Sequence, residues 1–409
     1  MHVRVALARR GATARLDELI ALDARARQLR GEVEAVRAER TKLSKEVGQA
    51  RGEGADSGEL EERARALGAT LEGQEIALRE AETARDTILA ELPNLPEDDA
   101  PDGGEDDAVE LRRVGTQPAF DHPVRDHVEL ATAAGALELE QAAEVSGARF
   151  AYLLGPLVRL QMALVLFAVE VLEEEGFTPV IPPVLVREQA MWGTGFFPTD
   201  RQSIYETAAD DLFLVGTSEV PLAGLQQDRV LAPDDLPLRY AGISTCFRRE
   251  AGAAGRDTRG IFRVHQFDKV EMFAFVEPEE SPAEHLRLLA TQERILAALE
   301  IPYRVVDIAV GDLGASAARK FDLEAWMPAQ EAYREVTSCS NCTDFQARRL
   351  KARVKRGKRP EPVHTLNGTA CAVGRTIIAL LENGQREDGS VALPPAVVAR
   401  GAPAEIRPA

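Results

Sequence analysis

Residues 16 to 92 carry side chains at alternating spacings of four and three, and this repeat constrains the fold more than any other feature of the chain. In its first half the repeat occupies Leu22, Ala26, Leu29, Val33, Val36, Arg40, Leu43 and Val47. After a break at Gly52, Gly54, Ser57 and Gly58, it continues through Leu60, Ala64, Leu67, Leu71, Gln74, Leu78, Ala81, Arg85, Ile88 and Leu92. Such heptad spacing is typical of helices packed along an apolar seam.

The two halves of the repeat fit either an antiparallel coiled-coil hairpin within one chain or a coiled coil between two chains. The glycine-rich turn and the matched lengths of the halves favour the hairpin. Each helix of about 35 residues would extend about 50 Å, at a rise of about 1.5 Å per residue. Because such a hairpin has little core beyond its own seam, we interpret it as an arm that reaches a partner.

The rest of the chain predicts a linker followed by a globular domain. Residues 93 to 115 are rich in Pro, Asp and Gly, which is typical of linkers. We therefore expect the arm with its linker over residues 1–112 and the globular domain over residues 113–409. Helical periodicity fits 157–175, 282–299 and 373–382. Strand patterns fit 149–154, 177–186, 211–215, 238–248, 260–276, 303–308, 320–326 and 333–338.

The order of these patterns predicts an α+β domain built on an antiparallel β-sheet flanked by helices. Consecutive strands surround a glycine-rich loop near Gly255, as in antiparallel sheets. There is no regular strand–helix alternation to predict a Rossmann fold. The sequence also lacks the G-x-x-x-x-G-K-[ST] loop. An ATP site in this domain would therefore use another scaffold.

Composition predicts a cytoplasmic globular protein with no membrane span. Apolar residues make up 45% and charged residues 28% of the 409 residues, which is typical of soluble domains. No apolar run follows Met1 to form a signal peptide. The longest apolar stretch, residues 157–172, contains Arg159 and Glu170 and is shorter than the roughly 20 residues of a membrane span. The net charge of −18 argues against nonspecific nucleic-acid binding over the whole surface.

Two local patterns are open to a structural and a functional interpretation. Residues 348–359 are mostly Lys and Arg, which fits either a local nucleic-acid contact or a charged hairpin edge. Cys339 and Cys342 have a spacing found in zinc sites, but no second close pair accompanies them. Reduced structural thiols are the expected alternative in a cytosolic chain.

The segment from Phe247 to Glu271 carries the strongest chemical pattern. Arg248 and Glu250 come first, and an alternating polar run with Phe267 and Glu271 closes the segment. Between them lies a basic loop containing Gly252, Gly255, Arg256, Arg259 and Gly260. Two strands joined by this loop would bring an arginine, an aromatic ring and two carboxylates to one sheet face. Such a set suits a nucleoside triphosphate and a cationic amine.

With these motifs, the chain resembles the bacterial-type seryl-tRNA synthetases, a family of class II aminoacyl-tRNA synthetases. Residues 176–183 resemble class motif 1, residues 247–271 resemble motif 2, and residues 367–383 resemble motif 3. Residues 217–219 resemble the serine-recognition element of the family, and residues 335–338 match a further element between motifs 2 and 3. The heptad hairpin resembles the arm that binds the long variable loop of tRNA-Ser. The resemblance covers nearly the whole chain.

The resemblance implies an AMP-forming ligase that activates L-serine with ATP and transfers it to tRNA-Ser, and also to tRNA-Sec. It further implies a homodimer and a Mg²⁺ ion. The implied catalytic residues are Arg248, Glu335 and Arg375. The implied ATP-binding residues are Arg248, Arg249, Glu250, Arg263, Val264, Phe267, Glu335, Val336, Thr337, Ser338 and Arg375, with Glu335 and Ser338 as Mg²⁺ ligands. The implied serine-binding residues are Thr217, Ser218, Glu219, Glu271 and Thr369, the last of which is Ser in many relatives.

The motif match also implies individual roles. Arg248 would bind the α-phosphate and Arg375 the γ-phosphate, while Phe267 and the Arg375 guanidinium would stack on either side of adenine. Glu250 would accept a hydrogen bond from the adenine amino group. The residues expected near tRNA are Arg256 and Arg259 of the loop and Arg25, Arg27, Arg30, Arg37, Arg40, Lys42 and Lys45 of the arm. Solvated helix faces with ion pairs are the alternative for the arm residues.

Three other functions remain as alternatives. An enzyme that loads an activated amino acid onto a carrier protein would share the adenylate site but would not need the arm. A catalytically silent paralogue would lack Arg248, Glu335 or Arg375, and all three are present. A structural coiled coil with a globular head would not need so many residues suited to binding ATP.

Overall fold

The computed structural model describes residues 2–251, 255, 257–357 and 359–409. The chain divides after Pro93 into two compact units. Gly252 and Arg256 of the glycine-rich loop lie outside the described residues. The expectation that Arg256 contacts tRNA therefore has no structural description.

The described residues form helices α1 (His2–Arg9), α2 (Leu16–Gly52), α3 (Gly58–Glu91), α4 (His127–Ala133), α5 (Glu140–Ser146), α6 (Pro156–Glu174), α7 (Glu188–Thr194), α8 (Glu219–Gly224), α9 (Ser281–Ala298), α10 (Phe345–Leu350), α11 (Val373–Asn383) and α12 (Pro395–Val398). They form strands β1 (Val109–Val114), β2 (Leu137–Glu138), β3 (Tyr152–Leu153), β4 (Thr178–Val180), β5 (Leu185–Arg187), β6 (Glu206–Thr207), β7 (Leu212–Leu214), β8 (Val230–Leu231), β9 (Leu238–Phe247), β10 (Gln266–Val276), β11 (Tyr303–Asp307), β12 (Arg319–Met327), β13 (Ala332–Thr343), β14 (Arg353–Arg356), β15 (Arg359–Pro362), β16 (His364–Ala372), β17 (Val391–Ala392) and β18 (Glu405–Ile406). In this described part of the chain, no helix combines the length and the apolar character that crossing a bilayer requires.

The N-terminal unit contains the helical hairpin that the heptad repeat predicts, so this prediction is confirmed. The repeat positions of α2 and α3 are buried or half-buried, with Arg40 as the exception. Ion pairs between the two halves of the hairpin join residues in reversed order, among them Arg15–Glu91, Arg37–Glu75 and Arg51–Glu61. The two helices therefore run antiparallel.

The second unit is built on the predicted antiparallel sheet. Within the described residues, eight strands pair in the order β1-β11-β12-β13-β16-β10-β9-β4. Neighbouring strands are antiparallel, except that β4 runs parallel to β9. Leu160 and Leu164 of α6, Met272 of β10, Leu288 of α9 and Ile377 of α11 belong to one buried apolar cluster. This close-packed core covers one face of the central strands and holds them rigidly. The polar residues lie on the opposite face and at the strand ends.

Several segments differ from the sequence-based prediction; the strand expected over 149–154, for example, contains only Tyr152–Leu153. Residues 93–115 do not form a continuous linker, because Val109–Val114 pairs with β11 as an edge strand. Its side chains are mostly exposed, so the strand has no buried apolar face. The strand expected over 177–186 is split into β4 and β5, since the prolines at 182 and 183 cannot donate ladder hydrogen bonds. The strand expected from residue 260 begins only at Gln266.

Candidate active site

The candidate active site is a cleft of about 410 Å³ in the second unit. Phe267, Lys269 and Glu271 of β10 enter it together, because alternate side chains of a strand point to the same face. The other sequence-predicted residues that line it are Thr217, Glu219, Arg248, Glu250, Arg263, Val264, Glu335, Val336, Ser338, Thr369 and Arg375. Residues far apart in the sequence thus converge on one cavity.

The deep end of the cleft is a polar pocket around Lys269. The Lys269 ammonium donates to Thr217 Oγ1 at 2.8 Å and forms an ion pair with Glu271 Oε2. The Thr369 hydroxyl lies 3.4 Å from the same carboxylate oxygen. Both charged residues are almost fully buried, so each needs the other as a partner. Lys269 therefore neutralises one of the carboxylates that face the cavity.

The second carboxylate of this pocket, Glu219, is held by two amide groups. Gln346 Nε2 and Asn367 Nδ2 donate to Glu219 Oε1 at 2.6 Å and 2.9 Å. Burial raises the pKa of Glu219 to about 7, and the negative charge of Glu271 contributes to the increase. When Glu219 is ionised, the pocket has two carboxylates and one ammonium, which leaves one negative charge to attract a cationic ligand.

The open end of the cleft carries two arginines beside aromatic rings. Arg248 Nε donates to the Gly216 carbonyl at 3.2 Å, and its guanidinium lies 5.3 Å from the centre of the Phe267 ring. The Arg375 guanidinium lies 4.6 Å from the centre of the Phe262 ring. Its Nη1 donates to the Glu335 carbonyl at 2.9 Å. Arg375 therefore contacts Phe262 in this structure, and its stacking opposite Phe267 remains a prediction.

Glu335 and Ser338 provide oxygen atoms at this open end. The Glu335 side chain is 47% exposed. Partial loss of hydration in the cleft raises the pKa of its carboxyl, but the positive charges of Arg375 and Lys320 outweigh this effect and hold the pKa below the ordinary value. The described residues contain no cluster of three or more His, Cys, Asp or Glu that would bind a metal by itself. Mg²⁺ commonly takes one or two protein oxygens and completes its shell with phosphates and water. Glu335 and Ser338 fit that requirement.

Three predicted residues do not line the cleft. Arg249 is exposed, and its backbone N–H donates to the Ser203 carbonyl. Ser218 is fully buried next to Gly242, where an added Cβ would come within 2.7 Å of Ser218 Oγ. Thr337 is buried as well. Their assignment to ATP or serine binding remains a prediction.

The sequence interpretation missed other members of the site. Lys269 could have been found, because it stands two residues before Glu271 in the alternating run. Asn367 opens motif 3 and was not given a role. Gln346 lies on α10, and no local pattern connects it to Glu219, which is 127 residues away.

The two patterns with open interpretations have clear structural positions. The described part of the basic segment contains the end of α10, all of β14 and the first residue of β15. In it, Arg348 pairs with Asp344, and Arg356 pairs with Glu277 and Glu279. These ion pairs neutralise part of the positive charge, which favours the interpretation of the segment as a charged hairpin edge over a nucleic-acid contact. Cys339 and Cys342 are buried free thiols on β13, and the other two cysteines are buried free thiols as well.

Comparisons with known proteins agree with the motifs. The family model of the seryl-tRNA synthetase N-terminal domain matches residues 1–96, and that of the tRNA synthetase class II core domain (G, H, P, S and T) matches residues 203–384. The serine–tRNA ligase of Streptomyces coelicolor is 50% identical over 382 residues, which is 93% of this chain and 89% of the relative. That of Acidothermus cellulolyticus is also 50% identical, over 93% of this chain and 90% of the relative.

Solved structures give the same result. The seryl-tRNA synthetase of Pyrococcus horikoshii complexed with ATP superposes with a TM-score of 0.93 and 41% identity, over 100% of this chain and 97% of the other. The cytoplasmic serine–tRNA ligase of Naegleria fowleri in complex with AMP has a TM-score of 0.87 and 32% identity, over 99% and 95% of the chains. The chain therefore belongs to the seryl-tRNA synthetase family of class II aminoacyl-tRNA synthetases.

Proposed function

We propose that this protein activates L-serine with ATP and then esterifies it to tRNA-Ser, and also to tRNA-Sec. The tRNA-binding arm with its linker, expected over residues 1–112, would end at the division after Pro93, because β1 pairs with β11 in the large sheet. Residues 94–409 would be the catalytic domain. The observation that carries this proposal is the composition of one cleft. Its deep end has two buried carboxylates and one lysine, and its open end has Arg248 and Arg375 beside aromatic rings.

In the proposed first step, the serine carboxylate attacks the α-phosphate of ATP and pyrophosphate leaves. The nucleophile is already ionised, so no general base is needed, and catalysis depends on positioning and on charge neutralisation. The planar guanidinium of Arg248 is suited to bind two oxygens of the α-phosphate, and Arg375 would bind the γ-phosphate. A Mg²⁺ ion bound through Glu335 and Ser338 would neutralise further phosphate charge.

The deep pocket would select serine by its ammonium and its hydroxyl group. Glu219 and Glu271 would attract the ammonium, and Thr369 together with Glu271 would hydrogen-bond the hydroxyl. A site built to hydrogen-bond a hydroxyl strongly rejects a substrate without one, because its own polar groups are then left unpaired. Alanine should be rejected for this reason. Threonine should be rejected because its extra methyl group lacks space.

In the proposed second step, the 3′-hydroxyl of the terminal tRNA ribose attacks the seryl carbonyl and AMP leaves. The α2–α3 hairpin would hold the tRNA through its phosphates. Arg25, Arg40 and Lys45 are exposed on α2, which supports this role. By contrast, Arg30 and Arg37 are held in ion pairs with Glu82 and Glu75.

One pair of assays tests the proposed function. The full-length protein should catalyse ATP–pyrophosphate exchange that depends on serine and should then charge tRNA-Ser. Exchange without charging of any tRNA would favour the ligase that loads a carrier protein. Absence of exchange with serine and with the other amino acids would favour a silent paralogue and would refute the proposal.

We expect the KM for serine to depend on the ionisation of Glu219. With a pKa of about 7, this group is increasingly protonated as the pH falls below that value and then attracts the serine ammonium less. The KM for serine should therefore rise as the pH is lowered from about 8 to about 6, by up to roughly tenfold per pH unit below the pKa. Pyrophosphate exchange measured across this range checks the prediction, and Glu219→Gln should remove the dependence. A wild-type KM that stays constant or falls toward low pH would contradict it.

We also propose a homodimer, and an exposed apolar stripe supports it. Val158, Met162 and Leu166 recur every four residues on α6 with 40%, 63% and 47% exposure, so they share one helix face. Exposed apolar stripes of this kind mark interaction surfaces. Met162→Asp should shift the mass in sedimentation from dimer to the 44.5 kDa monomer, whereas Leu286→Asp, which changes an exposed leucine of α9, should not. A monomeric wild type would refute the homodimer.

A further inference from the structure

His127 connects the base of the glycine-rich loop to the helix that carries Arg375. This buried residue begins α4, and its Nε2 lies 3.2 Å from the backbone nitrogen of Ile261. Its Nδ1 lies 3.1 Å from Glu382 Oε1. Because the Ile261 N–H is a donor, Nε2 must accept, and the proton of the neutral ring is on Nδ1, where it donates to Glu382. A single tautomer thus satisfies both contacts.

The Glu382 carboxylate is fixed on its other sides as well. It accepts from the backbone N–H of His127 through Oε1 and from that of Ala329 through Oε2, at 3.2 Å and 3.1 Å. The residue is fully buried and lies on α11, seven residues after Arg375. Seven residues are about two helical turns, so Glu382 and Arg375 are parts of one rigid element.

The loop side of the contact leaves no space for a side chain at position 260. Gly260 has a φ of +76°, and a Cβ at this position would lie 2.0 Å from His127 Nε2. Next to it, Arg259 Nε donates to Asp126 Oδ2 at 2.7 Å. The residue pair Asp126 and His127 therefore holds residues 259–261 by two side chains.

The position of this backbone matters for the cleft. Ile261 and Phe262 line the cavity, and the Phe262 carbonyl lies 3.4 Å from Arg375 Nε. The Phe262 ring also contacts the Arg375 guanidinium. A displacement of the backbone at Ile261 would therefore move two of the groups that orient Arg375, the carbonyl and the ring of Phe262.

We propose that His127 is a positioning residue for the ATP end of the cleft, a role that rests on the proposed function. It bonds the wall at residues 261–262 to α11 and so sets the distance between that wall and Arg375. The serine pocket at Lys269, Glu271 and Glu219 has no contact with His127 among the hydrogen bonds of the described residues. A substitution of His127 should therefore weaken the binding of ATP and leave the binding of serine unchanged.

Two substitutions of His127 separate this role from a general structural one. His127→Gln keeps an acceptor near the position of Nε2, whereas His127→Asn keeps a donor near Nδ1 but cannot reach Ile261. In ATP–pyrophosphate exchange, His127→Asn should raise the KM for ATP roughly five- to tenfold, since one buried hydrogen bond is lost. The KM for serine should change by less than about twofold. His127→Gln should have a KM for ATP close to the wild-type value, because it keeps the acceptor. KM values do not depend on the fraction of protein that folds, so partial misfolding would not imitate this result.

Gly260→Ala perturbs the same contact from the loop side and should also raise the KM for ATP selectively. Equal KM values for ATP in His127→Asn and the wild type would overturn the proposal, as would a parallel rise in the KM for serine. If the wild type showed no exchange with serine, the proposed function itself would fail. Normal wild-type exchange with an unaffected His127→Asn variant would refute only the role of His127.

Discussion

Glu271→Gln is expected to abolish serine activation. The substitution keeps the shape of the side chain but removes the charge that pairs with the buried Lys269 and that would attract the serine ammonium. Truncating or neutralising one member of a buried charge pair costs about 2–5 kcal/mol, because the other charge stays unpaired. We expect kcat/KM for serine in pyrophosphate exchange to fall by roughly a thousandfold. Glu271→Ala should have at least the same effect.

Glu277→Gln is the matched control for this prediction. Glu277 directly follows β10, the strand of Glu271, but it pairs with Arg356 outside the cleft. Its substitution should leave serine activation within about twofold of the wild type. ATP binding, measured separately by fluorescence or calorimetry, should persist in Glu271→Gln. Serine activation near the wild-type level in Glu271→Gln would remove Glu271 from the site.

Deletion of residues 22 to 88 is expected to separate the two proposed steps. Every residue that lines the cleft lies between Thr194 and Arg375, so the deletion removes none of them. Serine-dependent pyrophosphate exchange should therefore continue. Charging of tRNA-Ser should fall by roughly a hundredfold or more in kcat/KM for tRNA, because several phosphate contacts are lost at once.

Charge-reversal variants of the full chain locate the contacts within the arm. Reversing the exposed Arg25, Arg40 and Lys45 should impair charging and weaken its dependence on salt. Neutralising Arg30 and Arg37 should have a smaller effect on charging, because these groups are already paired with carboxylates. Normal charging of tRNA-Ser by the deletion variant would show that the arm has another role.

The long elements of the fold could be predicted, because they have local patterns. The heptad spacing predicted α2 and α3, and the helical periodicity predicted α6, α9 and α11 within about two residues at each end. The edge strand β1 could not be predicted, since its pairing with β11 is a property of the backbone and its side chains are mostly exposed. The sequence predicted one strand where the structure has β4 and β5, because only two prolines within one apolar run separate them.

The candidate site was predictable to the extent that its residues occur in motifs. Arg248, Phe267, Glu271 and Arg375 all line the cleft. The residues that orient them do not follow from spacing. Gln346 reaches Glu219 across 127 residues, and His127 reaches Ile261 across 134 residues.

The sequence by itself determined the helical arm and the antiparallel class of the second unit, because short-range periodicity encodes them, and its resemblance to the family motifs identified the motif residues. Only the tertiary structure decided that Lys269 neutralises Glu271 and that His127 connects the base of the loop to α11. It also decided that burial raises the pKa of Glu219 to about 7. The physical reason is that burial and hydrogen-bond partnership depend on which distant segments pack together, and no local pattern records that choice.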